Sequence, residues 1–150
     1  MAHFIHLSLL MGLHFFSLNY FSCGTSDLTF YEEPKSWIDA LQHCRNNRSS
    51  LVEIRNEASQ KDVEELLQNK TQVMNGNEVW IGLERSIFGC GVAWKWISGS
   101  EFKNSSLWNN GLAVDPFNHH CGKIIWSENQ SKLQDANCQY PLPFICQDPI

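Results

Sequence analysis

Ionised side chains are missing from the first 26 residues, where no Asp, Glu, Lys or Arg occurs. Within that segment, Leu7 to Leu18 is apolar apart from Ser8, Gly12, His14 and Ser17. The run falls short of the ~20 apolar residues that a membrane span needs, and it suits the hydrophobic centre of a secretory signal. Even the positive charge that normally precedes such a centre is lacking. Small residues at Ser22 and Gly24 fit cleavage after Gly24. The expected division is a signal peptide over residues 1–24 and one mature domain over 25–150, exported to the extracellular space.

Other absences exclude whole classes of function. No later segment is apolar for long enough to cross a bilayer, so no membrane span is expected. No internal repeat, low-complexity tract or linker divides the chain, and 150 residues suit one domain. Basic residues are few, 11 against 16 acidic ones, and a net charge of −5 argues against nucleic acid as partner. Catalytic signatures are missing too. His43, His119 and His120 have polar neighbours in sequence, but no Gly-X-Ser-X-Gly or His-Glu-X-X-His arrangement occurs. A hydrolase needs a nucleophile held against a base or a complete metal site. The chain is expected not to be an enzyme.

What is present points to a small exported fold. Six cysteines read as a disulfide framework, with 15 pairings open to them. Six Trp and nine Phe supply bulk for a modest core. Asn47, Asn69, Asn104 and Asn129 each begin an Asn-X-Ser/Thr sequon, which makes them glycosylation candidates on the surface.

Along the chain, Leu28 to Tyr31 reads as a short strand. Pro34 opens a helical pattern in which Trp37, Ile38, Leu41 and Cys44 recur at spacings of three and four. Leu51 to Ile54 reads as a strand. Asn56 can cap a second helix whose inner face is Val63, Leu66 and Leu67. Val79 to Leu83 is a strand, and a long loop-rich stretch follows, with Gly89, Gly91, Gly99, Gly111 and aromatic islands. Strands return at Lys123 to Trp126, near Ala136 to Cys138, and at Pro143 to Gln147. Helices first and strands later make an α+β order, not the alternation of a doubly wound sheet. So long a loop inside a compact domain is usually functional or stapled.

These pieces resemble the C-type lectin-like domain, over about Phe30 to Cys146. In the family's order they are Trp37-Ile38-Asp39-Ala40 leading to Cys44, Leu51-Val52-Glu53-Ile54, Trp80-Ile81-Gly82-Leu83, and Trp94-Lys95-Trp96 with Gly99. Trp108 with Gly111, Cys121, Cys138 and Pro143-Phe144-Ile145-Cys146 complete the set. The resemblance implies two helices with small antiparallel sheets and a long disulfide-clamped loop region. It also implies the pairings Cys44–Cys146 and Cys121–Cys138. Trp80, Trp94, Trp96 and Trp108 are expected to pack the loop onto the sheet. The alternative, an exposed aromatic platform for sugars, applies more to Trp108 and Trp126.

Sugar-binding members of the family hold calcium, which needs about 6–8 oxygen ligands. The resemblance places the ligand triplet on Leu112-Ala113-Val114, where Leu112 and Val114 offer no side-chain oxygen. The following Glu position is His119, and the later segment keeps only Gln134 and Asp135. A degenerate site and no bound metal are expected. A shifted site on Asp115-Pro116-Phe117-Asn118 is the alternative. Adjacent His119 and His120 point to opposite sides of an extended chain, a poor start for a tetrahedral zinc site.

Cys23 and Cys90 fall outside the core pairs. If cleavage follows Gly24, Cys90 is left over and a disulfide-linked dimer through it is expected, similar to venom C-type lectin-like proteins. Earlier cleavage with an internal Cys23–Cys90 bond is equally open. The expected function is recognition of an extracellular protein or glycan without the usual calcium site. The alternative is a lectin that uses the shifted calcium site or a calcium-independent surface.

Overall fold

The computed structural model describes residues 27–74, 76–86, 88, 92–109, 115 and 117–149. The order is strand β1 (Leu28–Lys35), helix α1 (Trp37–Asn46), β2 (Ser50–Leu51), helix α2 (Glu57–Gln68), β3 (Glu78–Glu84) and β4 (Lys95–Trp96). A single 3-10 turn (Ser105–Leu107) precedes β5 (Cys121–Ser127), β6 (Gln130–Ala136) and β7 (Leu142–Gln147). The two helices and α+β order agree with the sequence reading.

Helix α1 starts at Trp37 because the Ser36 side chain accepts the Asp39 N–H, which meets one of the unpaired donors of the first turn. Pro34, expected to open this helix, instead lies within β1. The buried stripe is Trp37, Ala40, Leu41 and Cys44, at i, i+3, i+4 and i+7, while Ile38 is 57% exposed. Helix α2 carries a reciprocal cap between Asn56 and Ser59, and it buries Val63 and Leu67.

The strands form one seven-stranded sheet in the order β1-β7-β3-β5-β6, with β2 paired to β7 and β4 to β3. The small antiparallel sheets expected from the resemblance are thus joined, because β3 lies between β7 and β5 and pairs in parallel with β7 at Trp80–Phe144. The expected strand over 51–54 is reduced to a two-residue ladder. Val52 and Ile54 are buried all the same, and Val52 donates to the Ile145 carbonyl. The strand expected near Ala136 to Cys138 is β6, which ends at Ala136.

Alternation along β3 and β7 divides the core between the two faces. Trp80, Phe144 and Cys146 pack with α1, while Val79, Ile81 and Ile145 pack with the α2 residues Val63 and Leu67. Burial on both faces explains why Val79 to Leu83 is apolar throughout. Each fully buried aliphatic side chain here is worth about 2 kcal/mol. Trp37 Nε1 donates to the Ile81 carbonyl at 2.8 Å and fixes α1 against the central strand.

The outer strands are modified. The β1–β7 register shifts between Tyr31 and Lys35, where Glu32, Glu33 and Pro34 fall. On the other side, Trp108 bridges to Leu133 of β6, and Asn109 N–H donates to the Leu133 carbonyl at 2.7 Å.

Candidate functional site

The loop region between β3 and β5 rests on an aromatic cluster. Trp80, Trp96, Trp108 and Trp126 are all buried, at 0%, 3%, 8% and 4% exposure, so none of them offers a free platform for a sugar. Trp94 packs edge-on to Trp108 at 5.1 Å, and Phe102 meets both Trp96 and Trp108.

Two disulfides brace this architecture. Cys44–Cys146 ties α1 to β7, and Cys121–Cys138 ties the start of β5 to the turn after β6. Cys121 pairs with Ala136 across the hairpin, and Gly122 with Asp135. The second disulfide therefore closes the loop at the end of the sheet where Asp135 stands.

Around Asp135 the chain forms a compact knot. The Asp135 side chain is 1% exposed. Its Oδ2 accepts the Asp115 N–H at 2.9 Å and lies 3.0 Å from His119 Nδ1. With a carboxylate as partner, Nδ1 carries the proton in this bond. The Asp115 carboxylate caps its own turn, accepting from Phe117 N, Asn118 N and Asn118 Nδ2. Those hydrogen bonds, led by the Asn118 side chain, hold the Asp115 pKa below the usual carboxylate value. His120 Nε2 lies 3.0 Å from the Phe117 carbonyl.

Arg85 is the residue that sequence reasoning missed. It follows β3, and its guanidinium donates to the Asp115 carbonyl once and to the His119 carbonyl twice. Its own N–H donates to the His120 carbonyl at 3.0 Å, and its Cζ sits 5.0 Å over the Trp94 ring. No sequence pattern marks a lone Arg after a strand. Phe117 projects from the turn and is 85% exposed.

The remaining predicted positions are scattered. Gln134 lies on β6 opposite Lys123. Cys23, Cys90, Leu112, Ala113 and Val114 lie outside the described residues. Asn47 and Asn69 end α1 and α2, Asn104 precedes the 3-10 turn, and Asn129 sits in the β5–β6 turn at φ 59°. All four sequon asparagines are exposed. His43 packs edge-on against the stacked pair Tyr31 and Phe144, at 4.5 and 5.3 Å. Among the described residues, no three His, Cys, Asp or Glu side chains converge as a metal site requires.

A separate open cleft of about 490 Å³ is lined by Glu53, Arg55, Ser98 and Gln147, among others. Its buried carboxylate is already paired. Glu53 accepts from Arg55 Nε at 3.0 Å and from Ser98 Oγ at 2.9 Å.

Comparison with known proteins agrees with this architecture. Residues 33–148 match the sequence model of the lectin C-type domain. Lithostathine from Bos taurus is 29% identical over 121 residues, covering 78% of this chain and 67% of its own. The C-type lectin BfL-2 from Bungarus fasciatus is 28% identical over 160 residues, covering 98% of each. The crystal structure of human lithostathine superposes with a TM-score of 0.68 at 27% identity, covering 82% of this chain and 83% of that one. No helix among the described residues is long and apolar enough to cross a membrane. With the family's order of motifs, its two disulfides and a domain match over most of its length, the chain belongs to the C-type lectin domain family.

Proposed function

We propose that this protein is a secreted recognition module that binds an extracellular protein or glycan and has given up the calcium-dependent sugar site. The observation that carries the reading is the hydrogen bond between His119 and Asp135. Where the family pattern calls for a second carboxylate, an imidazole N–H faces the one carboxylate that remains. Calcium needs several anionic oxygens together, and this pair offers one acid and one nitrogen donor. The residues do not fit the ion. The shifted alternative fares no better, because Asp115 spends its carboxylate on its own turn.

Residues 1–24 act as the export signal, and the four exposed sequons carry glycans in this reading. Binding, not catalysis, is the activity. In the form cleaved after Gly24, Cys90 links two chains, which a dimer band on a non-reducing gel that collapses on reduction would reveal. The decisive experiment is a calcium titration by calorimetry on the purified mature domain, with glycan screening in calcium and in chelator. The expected result is no calcium heat and ligand binding that survives chelation. Binding lost in chelator defeats the reading.

A further inference from the structure

We propose that Arg85 supplies, from within the chain, the positive centre that holds Asp115 and His119 in place, setting the turn they bound and its Phe117 without a bound ion. This rests on the calcium-independent reading above. Three segments that are distant in sequence meet on this one side chain. It lies at the end of β3, stacks on Trp94 ahead of β4, and hydrogen-bonds to carbonyls of the segment ahead of β5. Carbonyl oxygens converging on one point need a cation or several donors, and the planar guanidinium meets both needs at once.

Above that contact the N–H groups of the four described turn residues are all hydrogen-bonded. Asp115 N–H goes to Asp135, Phe117 and Asn118 N–H go to the Asp115 carboxylate, and His119 N–H goes to the Asp115 carbonyl. An exposed phenylalanine by itself needs no explanation. Here it stands between Asp115 and His119, whose N–H groups, like its own, are hydrogen-bonded within the chain. An anchor held this way costs less ordering when a partner closes over it. Arg85 is therefore a positioning residue, acting through the turn and not by contact with a ligand.

Amide hydrogen exchange of the mature domain tests this directly. In the wild type, the amides of Asp115, Phe117, Asn118 and His119 are expected to be protected equally in calcium and in excess EDTA. Arg85→Ala is expected to speed their exchange about tenfold or more, while amides of β5, β6 and α1 keep their rates. Arg85→Lys, which keeps the charge and loses the planar fork, should fall between. Protection of the wild-type turn that requires calcium overturns both this inference and the calcium-independent reading. Protection that ignores chelator and also persists in Arg85→Ala overturns this inference alone. Should Arg85→Ala fail to fold, Arg85→Lys decides, and wild-type rates in that variant reject the proposal.

Discussion

His119 and Asp135 meet through Nδ1 and Oδ2 at 3.0 Å, and the same carboxylate oxygen accepts the Asp115 N–H at 2.9 Å. One buried acid thus holds two points of the turn that leads into β5. Replacing His119 by Ala leaves that acid with one partner fewer, at an expected cost of about 1–3 kcal/mol in urea unfolding. His119→Glu should cost more, since two carboxylates would then face each other. Added calcium should not rescue it. Rescue by calcium would mean the upper loop keeps a working ion site.

Asp115 gives the turn a pH limit. Its carboxyl is held below the usual value by the Asn118 side chain and by backbone donors, so the folded state favours the ionised form. The contribution is present above the unfolded carboxyl value and is lost as pH falls through the lower, folded one, below about pH 4. Carbon-detected NMR titration should place the Asp115 midpoint below that of a free aspartate. Asp115→Asn should remove this acid step from the exchange of the Phe117 and Asn118 amides.

Gly82, within the Trp-Ile-Gly-Leu motif, has no room for a side chain. A Cβ there would come within 2.8 Å of both the Leu51 carbonyl oxygen and Ile97 Cδ1. The carbonyl is backbone and cannot swing aside. Gly82→Ala is expected to destabilise by about 1–3 kcal/mol through overpacking, read as a fall in the urea midpoint. A neutral result would show that β2 can shift away from β3.

The two disulfides should differ in weight. Cys44–Cys146 spans 102 residues and Cys121–Cys138 spans 17. Chain entropy assigns them about 4.7 and ~3 kcal/mol. Replacing the first pair by Ser should therefore lower the melting temperature further than replacing the second. The reverse order would mean that clamping the loop base matters more than closing the long chain segment.

Much of the scaffold was legible in the sequence because each signal there is local or periodic. The stripe through Trp37, Leu41 and Cys44 and the Asn56 cap need no distant partner to be read. Pro34 suggests a helix start but lies in β1, because its fixed φ suits an edge strand as well as a first helical turn. Only the end of β6 is legible, since Gln130, Lys132 and Gln134 alternate with buried residues and the strand looks polar. At the site, the lack of side-chain oxygen at Leu112 and Val114 can be read from residue types alone. The Arg85 contacts cannot, because that side chain reaches Asp115 and His119 across 30 and 34 residues with no motif to announce it.

The rims of the sheet also limit how copies of this molecule can associate. Growth by adding strands requires a flat row of unused peptide groups, and such a row is what fibres recruit. On one flank the ladder is broken beside two glutamates and a proline, and on the other a tryptophan from the loop already occupies part of the border. Both borders are thus poor templates for added strands, which favours association of copies through side chains or a covalent link over growth edge to edge.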